Sequence, residues 1–513
     1  MEVRHCVHSQ AITVGASVYQ HRPLDRGEAW HLMLWAIVLP GPRWQQYGYY
    51  IRLSQIRMSH RARERSLITL KKVQNTKGKT MRTCIVFTLT ILLFSFNADA
   101  QRENTLSPEA KIYGLSKLWK EASYNFAFFD HVPSLNWDSC YQTFIPLVLT
   151  TRTDWEYYQV LQKFFVLLKD GHTRVFPPAA LRNKQYGTAT KAITTRLIQD
   201  KVIVTGVTDT TGELEGLKRG MEIVMIDNVD VRDYADKYVA PYMYASTPQD
   251  LTLQTYGHFL LSGSVTKPAT IEVKNFNGEM KEYNVRREPW LIEEEVFKEV
   301  SMVYKELPHN VGYVKINNFF GDKFTTMFDS QYTKILQTDG LIIDIRGNVG
   351  GSTELGYYVL KHFTSEKFEA VNWKSPMHVA AHKSWKTNKD WFEQEGGHIY
   401  PHADRIIYAK PIDVIIDEGT FSGGEDFCAG FVIMKRGKLI GRKTAGSTGN
   451  PLILQLPGGG FAMICTKRDI FPDGKEFVGY GIEPDIAVDV TIEDIRNGND
   501  RALNVAIDDI LDR

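Results

Sequence analysis

Residues 419–430 read GTFSGGEDFCAG. Before them, residues 412–416 (IDVII) form a short apolar run that predicts a buried strand. After them, EDFCAGFVIMK has the look of a helix. Ser422 therefore stands where a strand hands over to a helix, with Gly423 and Gly424 behind it. A serine there has two readings. It can be an N-cap, with Glu425 three residues on completing a capping box. It can also be a nucleophile whose hydroxyl stands at a helix N-terminus, next to an unhindered glycine N–H that leaves room for a substrate backbone. These twelve residues alone favour the cap.

A second stretch shifts the balance. LIIDIRGNVGGS, residues 341–352, runs from an apolar strand into a glycine-rich turn able to present backbone N–H groups. No Gly-Lys-Ser/Thr follows, so it is not a P-loop, and no G-x-G-x-x-G is present. Thr420 occupies the place where an α/β-hydrolase elbow, G-x-S-x-G, needs glycine.

Around these stretches, residues 291–490 alternate apolar strands (VGYVKIN, GLIIDIRG, IDVIID, KLIGR) with helical patterns, which predicts an α/β core. Residues 491–513 close the chain as an amphipathic helix. Residues 101–188 predict a helical unit, from YGLSKLWKEASYNFAFF and WEYYQVLQKFFVLLKD with turn-rich VPSLNWDS between them. Residues 189–290 change to short β-branched runs. Within them GLKRGMEIVMIDNVDV, residues 216–231, resembles the PDZ signature, which implies a PDZ-like β-rich domain able to take a peptide tail by strand addition.

The 513 residues allow about three domains. A net charge of +1 gives no nucleic-acid footprint, so no nucleic-acid partner is expected. Residues 1–100 hold 14 Lys+Arg against 5 Asp+Glu, leaving 47 basic and 55 acidic residues in the remainder. The asymmetry has a focus at Met81: MRTCIVFTLTILLFSFNADAQ has a basic start, a short apolar run and an Ala-Asp-Ala site. That is the pattern of a secretory signal peptide over residues 81–100, with residues 1–80 a mis-assigned upstream extension and the mature chain periplasmic or extracellular. Beyond it, Cys140, Cys428 and Cys465 are too few and too widely spaced for a disulfide framework or a zinc site. His378 and His382, and His398 and His402, lie four apart but lack the Glu of H-E-x-x-H, so they read as surface histidines.

LIIDIRGNVGG, TFSGGE, GRKTAG and GYGIEPDI occur in this order, and with the PDZ-like segment they make residues 105–490 resemble the C-terminal-processing and tricorn-like serine peptidases. The resemblance implies a ClpP/crotonase-like α/β catalytic core, a peptide or unfolded protein as substrate, and no metal or organic cofactor. It implies Ser422 as nucleophile, with N–H groups of Gly423, Gly350 and Gly351 as the oxyanion hole. The tail-specific branch draws its base from a lysine just after the glycine of a T-x-G turn; here that turn is TAGSTG and the position holds Ser447, while Lys443 lies before the glycine. The tricorn-like branch uses an upstream histidine, which matches His172 in LLKDGHTRV. An imidazole titrating near ~6.5 suits removal of a serine proton at neutral pH. The family often carries a glutamate shortly before G-x-G-I-x-P-D. That place holds Val478, and Glu476, two residues away and so on the same face of a strand, is the expected orienter of His172. The family also contains retinoid-binding relatives, so a peptide- or hydrophobic-ligand-binding protein on the same fold is the alternative.

Overall fold

The structure, a computed structural model, describes residues 105–289, 300–387 and 390–513. The expected signal peptide, the upstream extension and the first residues of the mature chain lie outside the described residues. Among the described residues no helix is long and apolar enough to cross a membrane.

Three helices open the described chain: α1 (Pro108–Asn125), α2 (Trp137–Thr150) and α3 (Asp154–Val166). Each begins on a side-chain cap, from Ser107, Asn136 and Thr153 respectively, which satisfies N–H groups that no helical turn can reach. The sequence pattern anticipates α1 and α3 but treats the start of α2 as connection; Pro146 inside α2 masks its helical character. Trp137 stacks on Phe164 at 4.2 Å, tying α2 to α3. After α3 the chain turns through Lys169, whose φ is 49°, and enters the short strand β1 (Arg174–Phe176).

Next comes a β-rich unit with its own apolar core, built on Val204, Ile226, Leu260 and Ile271 among others. Its strands are β2 (Ile193–Ile198), β3 (Lys201–Val207), β4 (Glu222–Ile226), β5 (Val229–Asp230), β6 (Ala269–Lys274) and β7 (Met280–Val285). They form an antiparallel sheet in the order β2-β3-β4-β6-β7, with β5 also paired to β4. The polypeptide between β5 and β6 is helical in short pieces and contains the segment Ser246 to Gln249 that matters below.

The third part is α/β. β8 (Met302–Leu307) pairs antiparallel with β9 (Val311–Ile316). β9 then runs parallel with β10 (Gly340–Asp344), β11 (Ile412–Ile416), β12 (Lys438–Gly441) and β15 (Ile486–Ala487) in that spatial order. β10 and β11 are buried at every position, which is why they read as unbroken apolar runs rather than alternating ones. Helices α4 (Phe324–Ile335), α5 (Thr353–Leu360) and α6 (Gly423–Met434) supply residues to the large core, while the last helix, α8 (Arg501–Leu511), packs with Ile342, Ile415 and Ile440 in a second cluster. The single C-terminal helix expected from sequence is two: α7 (Ile492–Asn497) stops at Gly498, whose φ of 71° is a left-handed cap, and Asp500 caps the start of α8.

Two features join the early helices to this core. Leu115, Leu118, Phe164 and Phe165 share one apolar cluster with Phe319, Ile343 and Phe427. In addition, β1 pairs antiparallel with β14 (Phe461–Ile464), placing Arg174 opposite Met463 and Phe176 opposite Phe461; β14 in turn pairs with β13 (Leu452–Gln455). That pairing carries the residues just before β1 to the far side of the chain.

Candidate active site

The site forms where β10, β11 and β12 end, at the carboxyl edge of the parallel sheet, where open α/β sheets usually place ligands. Loops leaving these strands are laced together. Phe421 N–H donates to Asn348 O at 2.9 Å, Ser422 N–H to Ser447 O at 3.0 Å, and Ala445 N–H to Thr420 O at 3.0 Å. The Thr420 hydroxyl donates to Ile345 O at 2.9 Å.

Ser422 stands at the cap position of α6, yet it does not cap. Its φ is 54° and ψ −126°, and its hydroxyl makes no bond to the helix. An L residue in that conformation costs about 1–3 kcal/mol, held in place by the surrounding bonds. The hydroxyl instead lies 3.0 Å from Nε2 of His172. The capping-box reading fails for Glu425 too. Its carboxylate turns inward and accepts from Thr444 Oγ1 at 2.5 Å, Gly446 N–H at 2.7 Å and Ser447 N–H at 2.7 Å. Burial pushes this carboxyl up to about 8, against the pull of those three bonds.

His172 is buried between the two halves of the chain. Its ring stacks on Phe421 with centroids 4.5 Å apart and planes 13° off parallel. The turn below it is fixed by Asp170, which accepts from Thr173 Oγ1 at 2.6 Å and Ser246 Oγ at 3.1 Å. Thr173 Oγ1 also accepts Cys465 N–H at 3.0 Å, beside β14. Burial, and then the cations of Arg174 and Lys467, push the imidazole down to about 3, so it is neutral at pH 7.

Nδ1 of His172 faces Ser447 Oγ at 2.9 Å. With the ring proton on Nδ1 and donated to Ser447, Nε2 turns a lone pair to the Ser422 O–H, the geometry a general base needs. Glu476 is not brought to His172. Its carboxylate pairs with Lys374 at 3.4 Å and Arg468 at 3.7 Å, and the backbone of Glu476 bridges to Ile470. Lys443 is likewise turned away, 2.5 Å from Glu483.

Of the three glycines expected around an oxyanion, Gly350 does not have a free donor: its N–H goes to Asn348 Oδ1 at 2.8 Å. The N–H groups of Gly351 and Gly423 have no acceptor among the described residues. A Cβ built on Gly423 would lie 3.1 Å from Gly351 N, so the two free donors are neighbours beside Ser422. Gly350 contributes space instead. Its φ is 90°, and a Cβ there would meet Ser422 Cβ at 2.6 Å and Gly423 N at 2.7 Å.

The β-rich unit holds both halves of the site. Ser246 Oγ accepts Gly171 N–H at 2.9 Å, Thr247 Oγ1 donates to Ala445 O at 2.7 Å, and Gln249 Nε2 donates to Thr444 O at 2.9 Å. Nothing in the sequence marks these three side chains. Ser447 was visible only as the residue occupying a lysine's position. Among the described residues no group of His, Cys, Asp and Glu is arranged to hold a metal; His382 pairs with Asp390 and His402 faces the Tyr358 carbonyl.

Comparison with known proteins agrees with this architecture. Residues 310–488 match Peptidase family S41. The chain is 21% identical over 348 residues to the chloroplastic C-terminal processing peptidase of Tetradesmus obliquus, covering 65% of this chain and 68% of that protein. It is 22% identical over 366 residues to the carboxyl-terminal-processing protease of a Picosynechococcus strain, covering 69% and 77% respectively. Among solved structures, mature CPAF complexed with lactacystin superposes with a TM-score of 0.59 at 16% identity, over 79% of this chain and 98% of that one. Mature CPAF alone gives 0.57 at 16% identity, over 76% and 95%. The S41 match spans all three laced loops, and the chain shares with these solved structures a fold of N-terminal helices on a mixed α/β core.

Proposed function

We propose that the protein is an exported serine endopeptidase that cleaves peptide bonds through an acyl-enzyme. The reading is carried by the 3.0 Å approach of His172 Nε2 to Ser422 Oγ, made by residues far apart in sequence. In the first step Ser422 Oγ bonds to the scissile carbonyl carbon as its proton passes to His172 Nε2. The resulting oxyanion takes hydrogen bonds from Gly351 and Gly423, and His172 returns the proton to the leaving amine as the C–N bond breaks. Water, giving a proton to His172, then bonds to the acyl carbon, and the Ser422 Oγ–C bond breaks as His172 returns that proton to Ser422 and the acid leaves. Ser447 orients the imidazole in place of an acid, and Glu425 holds Ser447. The neutral imidazole supports the role of base at pH 7.

The β-rich unit is proposed to be PDZ-like, on its motif and its antiparallel sheet with open edges at β2 and β7. Export rests on the pattern beginning at Met81, and mass spectrometry of the purified protein's N-terminus tests it. The catalytic assignment is tested by peptide hydrolysis with the wild type, Ser422→Ala, His172→Ala and Lys443→Ala. Both of the first two variants are expected to lose turnover and Lys443→Ala to keep it. Loss at Lys443 with retention at His172 would reverse the choice of base.

A further inference from the structure

Between α3 and the β-rich unit lies a cavity of about 850 Å³ that neither sheet edge, β2 or β7, lines. It is large enough for a drug-sized ligand. Five basic side chains face it, Lys163, Arg174, Arg182, Lys237 and Lys267, against one carboxylate, Asp227. Part of that charge is already used. Lys267 pairs with Asp227 at 3.5 Å, and Lys163 and Lys237 lie over the rings of Tyr242 and Tyr238.

Arg174 differs from these. Its Nε donates to the Gly171 carbonyl, and its guanidinium makes no ion pair among the described residues. Asp250 and Asp170 favour its charge without pairing with it. A guanidinium stays charged in a protein, and a largely enclosed one with no carboxylate in contact has its fork open to an anion. Its planar fork matches a carboxylate. Part of the wall is aromatic, including Trp155, Phe176, Tyr186 and Phe259, and it also carries the amides of Gln159, Gln162 and Gln254.

The cavity wall is also the scaffold of the candidate active site. Arg174 follows His172 by two residues, and its guanidinium lies 5.4 Å from the Phe421 ring that stacks on His172. Tyr242, Met243 and Tyr244 line the cavity and lead directly into Ser246, Thr247 and Gln249, which hold both site loops. The Tyr244 hydroxyl joins the two walls by accepting Val175 N–H at 3.1 Å.

We infer that this cavity is an effector site for a carboxylate carried on an aromatic or apolar body, seated on Arg174 and coupled through Phe421 and the Ser246–Gln249 segment to His172. The coupling rests on the proposed role of His172; the binding does not. Such a carboxylate can be a peptide's C-terminus or a free organic acid.

Full-length Ser422→Ala protein is titrated calorimetrically with acetyl-Ala-Ala-Ala-Phe bearing a free carboxylate, with its C-terminal amide, and with 3-phenylpropanoate. The acid is expected to bind at least about tenfold more tightly than the amide. Arg174→Gln, checked for native circular dichroism, is expected to erase that difference. Comparable binding of 3-phenylpropanoate points to a free acid; binding of the peptide acid alone points to a chain end; either supports the site. In the same protein the His172 ring resonances are expected to shift with the acid and not with the amide. Equal binding of acid and amide, or no binding of any probe up to about 10 mM, overturns the site, and binding without a His172 shift overturns the coupling. Because all of this is read without turnover, a wild type that hydrolyses no peptide would sink the proposed function and leave the cavity's result intact.

Discussion

The hydroxyl of Ser447 lies 2.9 Å from Nδ1 of His172, where serine hydrolases of the triad type hold a carboxylate. A neutral hydroxyl can fix the ring's tautomer and orientation, but it offers no charge to stabilise an imidazolium. Ser447→Ala should therefore lower kcat by about 10- to 100-fold, the equivalent of one buried hydrogen bond, with KM little changed. Ser447→Thr should recover much of the loss. Steady-state kinetics decide it: a KM effect alone would mean that Ser447 only shapes the substrate site.

Gly350 has φ 90° and no room for a side chain beside Ser422. Gly350→Ala should cost roughly 10²-fold or more in kcat, since the new methyl would crowd the Ser422 Cβ and the Gly423 N–H needed by an oxyanion. Thermal unfolding should fall by the equivalent of about 1–2 kcal/mol for the left-handed strain, plus the overpacking against Ser422 and Gly423. Equal loss in both measurements would point to general misfolding.

Glu425 is fully buried and receives three hydrogen bonds. Glu425→Ala should strand those donors and destabilise the protein by on the order of 3 kcal/mol, read as a lower denaturation midpoint. Because Gly446 and Ser447 lose their anchor, turnover should fall even well below the melting temperature. A variant as stable and as active as the wild type would remove Glu425 from the account.

His172 titrates near 6.5 when unfolded and near 3 when folded, its charge opposed first by burial. Between those values the unfolded chain holds the extra proton. His172 therefore contributes its full stability above pH 6.5 and loses it as pH falls towards 3, at up to ~1.4 kcal/mol per unit. Denaturation midpoints of wild type and His172→Gln, compared from pH 4 to 7, isolate this slope from those of His258 and His362, which are lowered too. By the same cause, the acid limb of kcat/KM in the wild type should lie well below pH 6.5.

Much of this could be read from the chain, and the failures have physical causes. The parallel strands β9 to β12 announced themselves because burial along most of their length makes them largely apolar. Ser422 and His172 were legible through the order of motifs, whereas spacing alone favoured a cap at Ser422. That spacing was satisfied, but the backbone at Ser422 turned to φ 54°, sending the hydroxyl to the imidazole and releasing Glu425 inward. Strand parity suggested Glu476 for His172; its carboxylate had nearer cations in Lys374 and Arg468. Gly350 was expected to donate an N–H that the neighbouring Asn348 side chain already takes. The clamp by Ser246, Thr247 and Gln249 had no local signature, because it exists only once separate parts of the chain have docked.

The short ladder between β1 and β14 sets an order of events in the life of the chain. His172 is made first, and the strand that steers it, Phe461–Ile464, follows only after Ser422. A polypeptide still lacking that strand has its serine and its imidazole but is short of one of the contacts that bring them together.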